Sequence, residues 1–440
     1  RLRPLTLSAP KPMLPTAGLP FLTHLLSRIK AAGIDDVVLG TSFQAHVFSE
    51  YYGDGSKLGI RLRYVTEEEP LGTGGAIRNV LDQLTADTIL VFNGDVLGGT
   101  DVRQVLDTHR TSGADVTMHL VRVSDPRAFG CVPTDATGRV TDFLEKTQDP
   151  PTDQINAGAY VFRRAIIEDF PAGRPVSVER EVFPALLSSN RHIQGHVDHS
   201  YWRDMGTPED FVRGSADLVR GIAPSPALGD RRGESLVHEG AGVAPGALLI
   251  GGTVVGRGAE IGPGARLDGA VVFDGAVIEA GAVVERSIIG FGAHLGPRAL
   301  VRDTVIGDGA VIGARCELLR GARVWPGVTI PDNGDWVLPS TDPITENVAS
   351  TESAATANGG AVTFQWEPDS KVDTDPVIVK ETLKDGYEQH PKLYCTVKNI
   401  IAGTDQDIEV TVDGDGEWDL GKVGPRDVVT CTAKNTLTKL

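Results

Sequence analysis

The chain of 440 residues contains only four cysteines: Cys131, Cys316, Cys395 and Cys431. None stands at a CxxC or similar metal-ligand spacing, which removes the common zinc and iron–sulfur frameworks. Cys131 and Cys316 read as buried thiols. Cys395 and Cys431 both fall in strand-like segments and could pair, which would suit an oxidising compartment rather than the cytosol. No apolar run is long enough to cross a membrane, and no secretory signal is recognisable; a cytoplasmic protein is expected. Basic residues are also scarce. Lys and Arg total 42 against 59 Asp and Glu, a formal net charge of -17. That balance excludes a general nucleic-acid binder, because phosphate backbones need clustered cations. It leaves room for a nucleotide site, which needs only a few local cations and backbone amides. The abundant residue is glycine, with 52 copies, many of them in one stretch, the mark of a repeat.

Strand and helix signals alternate over residues 1–222. Leu22 to Ala32 has helical apolar spacing and ends at Gly33; Ala76 to Leu84, Val102 to His109, Glu179 to Leu187 and Pro208 to Val219 also read as helices. Val37 to Leu39, Ile89 to Phe92, Val116 to Val123, Gly138 to Phe143 and Ala159 to Phe162 read as strands. This alternation predicts an α/β domain with a mostly parallel, Rossmann-like sheet covered by helices.

Residues 236–333 follow another rule. Apolar residues recur every six positions: Val243, Leu249, Val255, Ile261, Leu267 and Phe273. After a phase slip come Val271, Val277, Val283 and Ile289, and after another Leu300, Ile306, Ile312, Leu318, Val324 and Ile330. Six residues per side and three sides per coil make a left-handed parallel β-helix, with the repeated apolar residue inward and glycine at the corners. A Ser-, Thr-, Ala- and Asn-rich linker is expected over 337–360, and a small β-sandwich over 361–440.

Four constellations carry chemistry. Arg1-Leu2-Arg3-Pro4-Leu5-Thr6 and Pro10-Lys11-Pro12 place cations on a proline-held segment. A nucleoside triphosphate needs such cations, although a charged tail has the same composition. Glu67 to Gly75 brings small residues to a helix start, where a ligand can approach the backbone and anions are favoured; a plain strand-to-helix turn looks alike. Asp95 follows the buried strand ending at Phe92, where ligands of open α/β sheets bind. It is a candidate Mg²⁺ ligand or a loop cap. Asp204, in Tyr201-Trp202-Arg203-Asp204-Met205-Gly206-Thr207-Pro208, offers a partner carboxylate. Finally, Phe129-Gly130-Cys131-Val132 precedes a hairpin ending Phe143-Leu144-Glu145-Lys146, followed by Asn156-Ala157-Gly158. Glu145 can accept from sugar hydroxyls and Lys146 can neutralise a phosphate, or the two form a solvated surface pair.

The order and spacing of these segments resemble the sugar-1-phosphate nucleotidyltransferase family. The likeness is greatest to bacterial mannose-1-phosphate guanylyltransferases, and it covers most of residues 1–333. It implies that Arg1 and Lys11 contact the triphosphate. It places Glu69, Gly72 and Thr73 at the base and ribose, and Asp95 and Asp204 on Mg²⁺. Gly130, Glu145 and Asn156 then hold the hexose and Lys146 its phosphate. The implied reaction has a sugar-1-phosphate oxygen attack the α-phosphorus of a nucleoside triphosphate with loss of pyrophosphate, GTP and mannose-1-phosphate being the substrates the resemblance implies; thymidylyl, uridylyl or adenylyl transfer to glucose-1-phosphate is the alternative. Lys11, Lys146 and Arg1 act by neutralising charge, and no general base is needed because the nucleophile is already anionic.

Two further readings are a non-catalytic sugar-nucleotide-binding subunit and acyl transfer on the β-helix with His238 or His294 as base. The β-helix faces would also support a homo-oligomer. Three departures from the family stand out. The first strand and its Gly-rich loop do not precede Arg1, so a longer native protein is expected. Thr147 replaces the usual proline after Lys146, and residues 335–440 have no family counterpart.

Overall fold

The computed structural model describes residues 2–41, 44–67, 69–230 and 232–337, and beyond these the backbone of the strands between Ala361 and Leu437. The chain divides into two compact units, Arg1–His238 with Gly251–Val255, and Glu239–Ile250 with Gly256–Leu440.

In the first unit the helix Phe21–Ala31 places Leu22, Leu25, Leu26 and Ile29 on one face. That face packs against Phe48, Tyr52 and Leu62, the stripe expected of a 3.6-residue period. The larger core gathers Met118, Tyr160, Phe162 and Phe183. Its sheet is mixed, not mostly parallel. Ile193–Asp198 runs parallel to Val116–Arg122, but Gln154–Arg163 is antiparallel to Val116–Arg122, to Thr88–Phe92 and to the short strand Gly130–Cys131. The physical reason lies in the connections. Between Val116 and Arg163 the chain returns through short strands and turns, which suffice for antiparallel partners, whereas parallel ones need a longer crossover. The strands Asp36–Thr41 and Arg61–Thr66 do pair in parallel.

Local expectations fail where side chains compete with the backbone. Gly138 to Phe143 forms no continuous strand, only bridges of Val140 to Thr134 and of Arg139 to Gln194. The Asp135 carboxylate accepts from the amides of Thr137 and Arg139 at 2.8 and 3.0 Å, which holds a turn in place of a ladder. Over 179–187 a π-helical turn, Val178–Val182, precedes the α-helix Phe183–Ser188. Pro184 has no amide to give the preceding turn, so the helix changes pitch there. The helix expected over 76–84 instead spans Gly72–Asn79, followed by a 3₁₀ turn, Leu81–Gln83.

The second unit contains a parallel β-solenoid. Ile261, Ile278, Leu295, Ile312 and Ile330 form one ladder of partners, all buried. Leu267, Val284, Val301 and Leu318 form the second, and Val272, Ile289, Ile306 and Val324 the third. The phase slips number three where the spacing suggested two: the sides Leu267 to Val272, Val284 to Ile289 and Val301 to Ile306 each advance five residues. The inward residues differ from the expected ones at several points. Val277 and Val283 face outward and are half-buried, while their neighbours Ile278 and Val284 fill the interior. Leu300 likewise yields to Val301. Val243 heads its ladder and stays 39% exposed. Not every corner uses glycine, since Arg298 and Arg315 take φ of 59° and 56°.

The linker expected over 337–360 lies outside the described residues, save Val337. Beyond it, Ala361–Trp366, Asp427–Lys434, Lys392–Asn399 and Thr404–Thr411 pair antiparallel in that order. In this register Cys395 stands opposite Cys431.

Candidate active site

Lys11, flanked by Pro10 and Pro12, opens a short 3₁₀ turn, Lys11–Met13. The buried Met13 anchors that turn in the core, so the lysine backbone is held while its four-carbon stem reaches outward. Its ammonium lies 2.9 Å from Asp95 and 3.8 Å from Asp204. The two carboxylates, 109 residues apart by number, thus meet at one point. The backbone secures this meeting. Trp202–Asp204 pairs antiparallel with Val96–Gly98, placing Asp204 opposite Val96, and the Met205 amide donates to the Asp95 carbonyl at 3.1 Å. Gly206 completes it: a Cβ there would stand 3.0 Å from the Asp204 carboxylate. Thr207 then caps the helix Pro208–Arg220, accepting from the Asp210 amide.

The sugar-side residues adjoin this centre through hydrogen bonds. The Asn93 amide donates to the Gly158 carbonyl at 2.8 Å, which ties Asn93-Gly94-Asp95 to Asn156-Ala157-Gly158. Trp202 donates from Nε1 to the Ala157 carbonyl at 3.1 Å, and its ring meets Phe129 edge-on at 5.2 Å. Behind Phe129, the strands Gly130–Cys131 and Leu144–Glu145 pair with Gly130 opposite Glu145. A Cβ on Gly130 would approach the Phe143 ring to 2.8 Å and the Glu145 carboxylate to 3.0 Å, so only glycine leaves that carboxylate in place. Lys146 sits at a φ of 51°, in the left-handed region that costs a side chain energy. Its ammonium is exposed, 3.9 Å from Glu145.

Asn156 is held at both ends. Its Nδ2 donates to the Tyr160 hydroxyl at 2.6 Å and its Oδ1 accepts from the Gly158 amide at 3.0 Å. Burial, reinforced by the charges of Glu179 and Glu145, pushes the Tyr160 pKa far upward, so this hydroxyl stays neutral and keeps its proton.

In the loop at Glu69 to Gly75, two amides of the following helix already have an acceptor. The amides of Gly74 and Gly75 both donate to the Val176 carbonyl, at 2.8 and 3.3 Å. Added Cβ atoms at Gly72 and Gly74 would strike Val176 within 3 Å. The small residues accommodate a neighbouring chain segment, whose Val176 carbonyl accepts from two amides in the first turn of the helix. The Thr73 hydroxyl donates to Glu179 at 2.9 Å and accepts from the Val178 amide. Glu69 and Gly72 remain exposed. Arg1 lies outside the described residues.

Sequence alone gives no role to Tyr160, Glu179, Phe129 or Trp202. Trp202 stands two residues before Asp204 in the Tyr201-to-Pro208 segment, which is its signal; Glu179 carries no local signal. His238 and His294, the bases expected for acyl transfer, each have a hydrogen-bond partner. The His238 ring is buried, with Nε2 3.2 Å from the Ala17 carbonyl, and His294 pairs with Glu279 on the surface at 2.6 Å.

Among the described residues no helix is long and apolar enough to cross a membrane, and no three His, Cys, Asp or Glu side chains converge as a ready metal cage.

Residues 1–221 match the sequence profile described as Nucleotidyl transferase, and residues 231–335 that described as GMPPB C-terminal domain. The chain is 74% identical over 335 residues to a mannose-1-phosphate guanylyltransferase of Mycobacterium tuberculosis, covering 76% of this chain and 93% of that protein. It is 33% identical over 259 residues to a probable mannose-1-phosphate guanylyltransferase 1 of Oryza sativa subsp. japonica, covering 57% and 71%. A solved structure, HddC from Yersinia pseudotuberculosis, aligns at 28% identity and a TM-score of 0.45 over 50% of this chain and 94% of that one.

Proposed function

The chain belongs to the nucleotidyl transferase family, and from that premise we propose that it transfers GMP from GTP to mannose-1-phosphate, giving GDP-mannose and pyrophosphate. The observation that carries this reading is the 74% identity to a guanylyltransferase across 93% of that protein's length. The convergence of Lys11, Asp95 and Asp204 supports the assignment of roles.

In this reading an oxygen of the sugar phosphate attacks the α-phosphorus in line and pyrophosphate leaves. The nucleophile is already an anion, so the protein's work is positioning and charge neutralisation. Glu145 and Asn156 orient the hexose, and the close fit at Gly130 holds the Glu145 carboxylate in line with it. Lys146 takes the sugar phosphate, and Lys11 and Arg1 take the triphosphate. Glu69, Gly72 and Thr73 border the base and ribose, with Thr73 acting through its bond to Glu179.

Enzymes of this family use a divalent metal, and we assign Mg²⁺. The donor set fits: two carboxylates already share one cationic partner, and hard oxygen ligands suit Mg²⁺, which keeps water and substrate phosphates for its remaining positions. Asp95 and Asp204 would hold it, and it would supply charge stabilisation at the phosphates. We further assign the reaction to the cytoplasm, and self-association to the faces of the β-solenoid.

The test is pyrophosphate release from purified protein with each nucleoside triphosphate against mannose- and glucose-1-phosphate. GTP with mannose-1-phosphate should give the highest kcat/KM. Asp95→Asn and Asp204→Asn should each lower Mg²⁺-dependent turnover by at least about a hundredfold. Near-normal turnover in both variants defeats the metal assignment, and preference for another pair defeats the substrate assignment.

A further inference from the structure

The space between Asp95 and Asp204 already holds a positive charge. The Lys11 ammonium stands 2.9 Å from one carboxylate and 3.8 Å from the other. At such range two carboxylates repel each other, and a cation between them offsets the repulsion. A dication seeking the same oxygens meets that ammonium first.

The turn holding Lys11 makes this contact reversible. Pro10 and Pro12 restrict the backbone on either side, and buried Met13 fixes the turn. The side chain, by contrast, is about a quarter exposed, and a lysine stem has free rotors and a strongly hydrated head. Its ammonium can therefore leave the carboxylates without any backbone movement. A triphosphate offers a denser negative charge than the pair of carboxylates.

We propose that Lys11 is a place-holder cation: it occupies the carboxylate pair until a nucleoside triphosphate draws it away, so that metal joins the site together with the nucleotide. This rests on the assignment of Asp95 and Asp204 as metal ligands, and adds an order of assembly to it. The same side chain then serves twice, first offsetting the charge of the two carboxylates and afterwards neutralising the phosphates.

Mn²⁺ binding to the full chain without nucleotide tests the idea, followed by electron paramagnetic resonance or calorimetry. Lys11→Gln should bind Mn²⁺ at least about tenfold tighter than wild type, the effect expected of one unit charge a few ångströms from a dication. Lys11→Arg, which keeps the charge, should bind as weakly as wild type. Circular dichroism melts establish that each variant is folded. If Lys11→Gln binds no tighter than wild type, while Asp95→Asn in that background still weakens binding, the place-holder role is overturned and the carboxylate site survives. If Asp95→Asn and Asp204→Asn leave Mn²⁺ affinity unchanged in the Lys11→Gln background, the metal assignment itself falls, and this proposal with it.

Discussion

His24 illustrates how much a single buried side chain can couple to pH. It is fully buried, with Nε2 2.8 Å from the Thr16 carbonyl and Nδ1 2.7 Å from the Ser225 hydroxyl. These partners suit a neutral ring that donates from Nε2 and accepts at Nδ1. Burial outweighs the carbonyl's pull and lowers its pKa from 6.5 to about 4. Below pH 6.5 the unfolded chain takes up a proton that the folded chain refuses. Stability from this group is therefore full above pH 6.5 and is lost as pH falls toward 4, by roughly 3 kcal/mol at most. A His24→Gln variant lacks this dependence. Its stability gap to wild type, measured by urea unfolding, should narrow steadily from pH 7 to pH 4; a constant gap would show that His24 is not held neutral. At the same scale, Gly130, Asn156 and Gly206 matter through what they permit. Two glycines leave room for Glu145 and Asp204, and Asn156 is locked by Tyr160 and the Gly158 amide.

At the scale of elements, the β-solenoid shows what period and phase each decide. The period makes a coil, but the phase decides which residue enters it. In a strand, neighbours point to opposite faces, so an error of one residue exchanges interior for surface. Ile278 is buried and Val277 is its half-buried outward neighbour. Ile278→Ala should cost ~2–5 kcal/mol in equilibrium unfolding, and Val277→Ala under about 1 kcal/mol. Equal costs would contradict the observed register. The same lesson applies to the helix Gly72–Asn79. Its glycines fit a ligand-approach loop, and in the fold Val176 lies just as close to Gly72 and Gly74. Sequence could not distinguish the two, because both demand the absence of a Cβ, and the atom that needs the space lies about a hundred residues away in the chain.

For the whole molecule, the second matched region ends at residue 335, and the strands from Ala361 onward pair among themselves in one four-stranded and two two-stranded antiparallel sheets. A chain ending at Val337 should retain the kcat/KM of the full chain for GTP and mannose-1-phosphate within about twofold, since a change of that size is under ~0.5 kcal/mol. A large loss would assign the C-terminal strands a part in catalysis. Properties set by neighbours along the chain were legible without a structure: the helix stripe of Phe21–Ala31, the six-residue repeat though not the number or place of its slips, and the order of Lys11, Asp95, Glu145, Asn156 and Asp204. What required the tertiary fold was every contact between distant segments. Antiparallel pairing around Gln154–Arg163 replaced the expected parallel order, Val176 took the helix amides, and Lys11 came to lie between two carboxylates. Local spacing constrains a backbone's periodicity, but which atoms share a space is settled only when distant segments compete for it.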